Sequence, residues 1–329
     1  MSDKNSGNPP PGCPYHISPD AGAAGEKPGN PNVYGQSDLT YNDYLKVSDL
    51  LQLQVPQSEP AHHDELLFIV IHQAYELWFK LILHEMQNSI RYMREKNVLR
   101  AHHFVKRICE IMKLLVQQIH ILETMTPAEF LQFRDRLMPA SGFQSIQYRE
   151  IEFLAGLKDE SYLAHFKNRP EFLKILKERL VQPDLKSAYY ELLHNLGEQL
   201  GDRRGTIEKS GEKGATLMPK DAAALEYRIK FDAKMDPKDV ETAKMSIINA
   251  ILPIYQHQER HLALYLLSES LVEFDEYFSL WREHHVRVVE RVIGFKQGSG
   301  GSSGVGYLRS TTTKKIFPLL WEVRTYLEK

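Results

Sequence analysis

Apolar residues recur at spacings of three and four along almost the whole chain, from Leu39 to about Ile293. Strand-like alternation of apolar and polar positions never persists beyond a few residues. The pattern predicts an all-α protein, a large helical bundle with helices over 41–54, 63–95, 99–124, 127–138, 145–156, 169–180, 184–200, 219–233, 237–268 and 271–294, and a last one over 313–327. One helix start is signed in the residues themselves. Thr126, Pro127 and Glu129 supply an N-cap, a first-turn proline and a capping-box carboxylate in register. Residues 1–36 have no apolar period and are rich in Pro, Gly, Asn and Ser, so they read as a disordered or loosely docked tail ahead of a single domain over 37–329. The charged, Gly-rich stretch 201–221 reads as an exposed loop inside that domain.

Composition changes this picture little. Hydrophobic residues at 42%, charged residues at 26% and a net charge of -2 describe an ordinary globular chain, with no nucleic-acid or membrane partner expected. No run approaches the ~18 apolar residues of a membrane helix, and the N-terminus lacks signal-peptide order, so the expected location is the cytoplasm. Cys13 and Cys109 make no disulfide framework and no CxxC motif. The 14 histidines change more, because many come in pairs and periodicity must sort them.

In "FIVIHQAYELWFK" the helical period puts Phe68, His72, Tyr75 and Phe79 on one face, so His72 points into apolar surroundings. Further on, Phe278, Trp281, His285, Val288 and Val292 form a continuous stripe, while His284 is turned about 100° away toward Arg287 and Arg291. Each inward histidine is either a hydrogen-bonded core residue or a group facing a pocket. With two of them on long helices, a haem pocket is the natural chemical reading, one neutral imidazole binding iron while aromatic side chains cover the ring. Arg134 shares a face with Phe130 and Leu137, and an inward arginine needs an anion, from the protein or from a ligand. After it, "PASGFQS" gives a turn where Ser141 and Gly142 can bring backbone close to a ligand, and 294–308 holds six glycines, either a linker or a loop folding over a polar ligand end. A non-haem di-iron bundle would need two Glu-x-x-His helices, and only Glu191 with His194 fits that spacing.

Five blocks, "FIVIHQAYELWFK", "LLVQQIHILETMT", "FRDRLMPASGFQS", "HHVRVVERVIG" and "GSGGSSGVGYLRST", resemble in order those of the tryptophan 2,3-dioxygenase superfamily, over about Tyr41 to Leu327. The resemblance implies an all-α homotetramer with b-type haem that uses O2 to open the indole C2–C3 bond of L-tryptophan, giving N-formyl-L-kynurenine. It implies His285 as the axial ligand, His72 as the partner of the indole N–H and Arg134 as the clamp on the substrate carboxylate. Phe68, Tyr75, Phe130 and Leu137 then line the indole pocket, Trp281, Ser141 and Gly142 lie beside the haem, and Tyr41 and Tyr44 reach a neighbouring subunit's site. Where the family usually has a threonine for the amino-acid end of the substrate, this chain has Ser299. Relatives that add one oxygen to a substituted tryptophan, forming a 2-oxindole, share the scaffold, and a haem sensor without turnover is the non-enzyme alternative.

Overall fold

The structure is a computed structural model that describes residues 39–204, 217–298 and 303–328. Among these residues all regular structure is helical, with no strand, as the periodicity predicts. The chain divides at Leu53/Gln54 into two units. The first holds α1 (Tyr41–Leu45) and α2 (Val47–Leu50), neither with a buried residue. One helix over 41–54 was expected. Instead Thr40 and Asp43 close a capping box, and the chain turns at Lys46, whose φ of 53° is left-handed and ends α1 after little more than a turn.

The second unit contains α3 (His63–Arg94), α4 (Val98–Leu122), α5 (Pro127–Leu137), α6 (Ile146–Ala155), α7 (Pro170–Val181), α8 (Leu185–Arg204), α9 (Ala222–Phe231), α10 (Pro237–Gln256), α11 (Leu262–Ile293), α12 (Val305–Thr312) and α13 (Pro318–Glu322). α4 packs along both α3 and α11, and α6 and α8 cover other parts of α3. Ile82, Met86, Met93, Val105, Ile108, Leu115, Leu271 and Phe274 form the dry centre of that packing. α3 is, against expectation, long and apolar enough to pass for a membrane span by length and composition. Its apolar residues nevertheless pack on neighbouring helices, and it buries two carboxylates. Glu65 accepts from the backbone N–H groups of Gln57 and Ser58, and Glu85 accepts from Arg107.

Two helix boundaries fall elsewhere than the sequence suggests. The break expected at 269–270 lies instead at His257–His261, a run of polar residues just past Pro253. Ser268 and Ser270 do not interrupt α11, because their hydroxyls donate back to the carbonyls of Leu264 and Leu267 inside the same helix. The last expected helix, 313–327, is shorter than expected, and an unexpected one precedes it. α12 occupies the end of the glycine-rich stretch, and Pro318 starts α13, which passes into a 3-10 turn at Val323–Tyr326. The C-terminal segment is fixed by buried Asp275 on α11, which accepts from the N–H groups of Ile316, Phe317 and the Trp321 indole at 2.9, 3.0 and 2.9 Å. Most of the stretch 201–221 lies outside the described residues.

Candidate active site

On α3 the predicted face is real. Phe68, His72, Tyr75 and Phe79 point together, and the His72 ring lies 4.0 Å from that of Phe68. His72 Nδ1 is 2.7 Å from the Phe68 carbonyl oxygen. A carbonyl can only accept, so the proton sits on Nδ1 and Nε2 is left as an acceptor. Burial lowers the His72 pKa, opposed in part by the Phe68 carbonyl and Glu76, so the ring is neutral. Tyr75 donates its hydroxyl to the Leu115 carbonyl at 3.1 Å, which makes it a wall of the site, its edge toward Trp281.

On α11, Trp281 stacks on His285 with ring centroids 5.3 Å apart and planes 10° from parallel. Burial, and then the nearby His72, push the His285 pKa down to about 4, so this imidazole is neutral too. The two imidazoles come from opposite parts of the chain and lie near enough for a charge on one to oppose a charge on the other. The His285 side chain is half-buried against the Trp281 ring. His284 turns the other way and meets His120, as the period requires.

α5 closes the site through an aromatic cluster. Phe133, fully buried, touches Phe68 and Phe130 edge-on at 5.8 and 5.3 Å, and Phe130 lies 5.7 Å from Phe68. The sequence reading named Phe130 and Leu137 but not Phe133, although it lies within the same i, i+3, i+7 face. Arg134, half-buried, donates Nη2 to the Gln297 carbonyl at 2.6 Å and has no carboxylate partner among the described residues. This contact ties α5 to the start of the glycine-rich loop. Gly304, at φ +62°, closes the other end of that loop: a Cβ there would lie 2.7 Å from the Lys296 carbonyl, so only glycine fits. Ser299 lies outside the described residues. Ser141 caps a short 3-10 helix at Gly142–Gln144. Tyr41 and Tyr44 belong to the N-terminal unit, 74% and 72% exposed.

Behind Trp281 is a charged cluster that the sequence reading missed. Tyr148 packs on Trp281 and Phe278, and its hydroxyl accepts from Arg282 Nε at 3.1 Å. Arg282 also donates to Glu152 at 2.8 Å, and Glu152 accepts from Arg149. Arg282 and Glu152 are each 2% exposed. The signal available was "YREIE", with Arg149 and Glu152 at i, i+3 so that they share one side of the helix. Glu152→Ala leaves two buried guanidiniums without their carboxylate and is expected to cost about 3–5 kcal/mol in urea unfolding, with Glu152→Gln milder.

Several features bear on whether a prosthetic group fits. No hydrogen bond holds His285 among the described residues. The Trp281 indole N–H is buried close to the Tyr75 hydroxyl but has no bond of proper geometry. A Cβ built at Gly142 would meet no atom of the chain within 4 Å. The Glu-x-x-His pair of α8 is engaged elsewhere, Glu191 with Arg94 and His194 with the Met218 carbonyl. The donor set therefore fits haem, one free neutral imidazole beside aromatic faces, better than a carboxylate-bridged metal pair.

Fold and site together define an all-helical protein whose aromatic interior holds one neutral imidazole, His285, with no hydrogen bond to the described residues, and a second, His72, oriented as an acceptor. The family description "Tryptophan 2,3-dioxygenase" matches residues 27–213 and 222–327, beginning earlier than the resemblance placed it. The chain is 39% identical over 288 residues to the tryptophan 2,3-dioxygenase of Myxococcus xanthus, covering 88% of this chain and 89% of that protein. Identity is 40% over 297 residues to that of a Nocardioides species (88% and 96%) and 41% over 289 residues to that of Herpetosiphon aurantiacus (88% and 98%). The chain belongs to the tryptophan 2,3-dioxygenase family.

Proposed function

We propose that this protein is a haem-dependent oxygenase that uses O2 to oxidise the indole ring of L-tryptophan, giving N-formyl-L-kynurenine. The carrying observation is the His72 tautomer: with Nδ1–H spent on the Phe68 carbonyl, Nε2 is the acceptor that an indole N–H requires. Haem b, when held by His285, supplies the redox-active iron that activates O2. The chain's own residues bind and orient. Phe68, Phe130 and Leu137 hold the indole, Tyr75 and Trp281 wall the site, and Ser141 and Gly142 leave room beside the haem. Arg134 takes the substrate carboxylate, since one of its five N–H donors on Gln297 leaves others free. The apolar walls exclude water, which strengthens both polar contacts. An oxygen electrode tests the reading: the reduced, haem-loaded enzyme should consume one O2 per tryptophan, and absence of tryptophan-dependent uptake rejects it.

The N-terminal unit supports a homotetramer in which Tyr41 and Tyr44 complete a neighbouring site. Leu39, Tyr41, Tyr44, Leu45, Leu51 and Leu53 are all exposed there, an apolar surface suited to a partner. Light scattering should report a tetramer; removal of residues 1–36 should leave it intact, and removal through Tyr44 should abolish turnover. A monomer active without those residues contradicts this arrangement.

Ser299 favours a second substrate, a β-substituted tryptophan. Serine keeps the hydroxyl for the amino-acid end and removes a methyl worth about 1 kcal/mol of packing, enough for several-fold selection. The ratio of kcat/KM for β-methyltryptophan over tryptophan should fall in Ser299→Thr. An unchanged ratio moves substrate selection to the pocket around Phe68, Phe130 and Leu137.

A further inference from the structure

We infer that His120, Glu123 and His284 form a binding site for a borderline divalent metal ion, of which Zn2+ is the representative, on a different face of α11 from His285. His120 and Glu123 are three residues apart at the C-terminal end of α4 and so lie on one side of it. His284 comes from α11, which packs along α4. One donor atom from each of the three lies within 4.8 Å of the others. The His120 and His284 rings stand 5.1 Å apart at 85°, edge to face, and His120 Nδ1 is 3.0 Å from a Glu123 carboxylate oxygen.

The donor chemistry selects the ion. Two imidazole nitrogens and one carboxylate suit Zn2+ and its neighbours in the first transition row, whereas Ca2+ and Mg2+ require oxygen cages. Bonds of about 2.0–2.1 Å in tetrahedral geometry set donors roughly 3.3 Å apart. The donors lie within 4.8 Å of one another, so they need close by at most about 1.5 Å, a distance within the reach of side-chain rotation. His120 is 52% exposed, so a solvent molecule can take the fourth position. Two neutral imidazoles and one carboxylate also leave the bound ion with charge to attract that fourth ligand.

Position gives the site a consequence. His284 precedes His285, and successive helical residues point about 100° apart, so an ion here does not enter the active-site space. It joins the end of α4 to α11 at the level of His285, adding a cross-link beyond the ion pairs of Glu273 with Lys106 and Lys113 that join the same two helices. None of the three ligands belongs to the proposed active site, and occupancy of the ion site is read by metal content rather than by turnover.

The experiment is equilibrium dialysis of the chelator-treated, haem-loaded full chain against Zn2+, with zinc and iron measured by elemental analysis. Wild type should bind zinc saturably beyond its iron. His120→Ala and Glu123→Gln should each weaken the tightest site by at least about 10-fold, as should His284→Ala, with Soret and far-UV spectra unchanged. The two α4 variants keep the test decisive if His284→Ala disturbs the fold. Wild type without saturable zinc overturns the site. So do variants that bind as tightly as wild type, which would assign the zinc to other surface histidines.

Discussion

Purified His285→Ala should be colourless in the Soret region, or nearly so, and should not turn tryptophan over, while its far-UV spectrum stays that of wild type. The side chain lies on α11 against Trp281, makes no hydrogen bond among the described residues and is held neutral by burial. Its removal costs the fold only a ring's packing. If His285 holds the haem, as proposed, the substitution removes the imidazole that would bind the iron, while His72 Nε2 stays with the indole N–H. A second readout needs no cofactor. The His285 pKa falls from 6.5 to about 4 in the folded chain, so between those values the unfolded chain binds more protons than the folded one. Stability of the haem-free protein therefore declines as pH falls from 6.5 toward 4, by up to about 3 kcal/mol from this residue. His285→Ala should flatten that slope, and His72, lowered for the same reason, should keep part of it. A variant that retains a full Soret band would place the axial ligand elsewhere.

Arg134→Ala should lower kcat/KM for tryptophan by roughly 30-fold to several thousand-fold, from loss of a charge-assisted contact worth about 2–5 kcal/mol. The structure adds a second role that the measurement must separate, because Arg134 also tethers Gln297. Tryptamine, which lacks the carboxylate, does so. If Arg134 acts on the carboxylate, wild type with tryptamine should be about as poor as the variant with tryptophan, and the variant should lose little more on tryptamine. If the tether is its whole contribution, both substrates fall equally. His72→Ala serves as the contrast, since one positioning hydrogen bond is worth roughly 1 kcal/mol, a few-fold in rate.

Both predictions start from residues that were legible in the sequence. The faces of α3 and α11 follow the 3.6-residue period, so His72 and His285 are separated from His63, His84 and His284 by spacing alone. Thr126–Glu129 signs its own helix start, and the structure forms both bonds of that capping box. What stayed hidden depends on partners distant in the chain. Arg134 was expected to meet a carboxylate, of the protein or of a ligand, and in the structure it meets a backbone carbonyl, which no residue pattern encodes. The cluster of Arg149, Glu152 and Arg282 draws on two helices, and its polar residues interrupt the apolar period that served as the signal. Ser268 and Ser270 misled because a hydroxyl can satisfy itself within the helix, whereas the real break at His257–His261 lacks glycine and has its proline one turn early. At Lys46 a left-handed backbone occurs at a residue type that rarely announces one.

The measurement closest to the central claim is mass spectrometry of the product formed from L-tryptophan by the reduced, haem-loaded enzyme under 18-O2. The account predicts N-formyl-L-kynurenine carrying two labelled oxygens from one molecule of O2. A product with one labelled oxygen on an intact ring, or no oxidised indole at all, would contradict it.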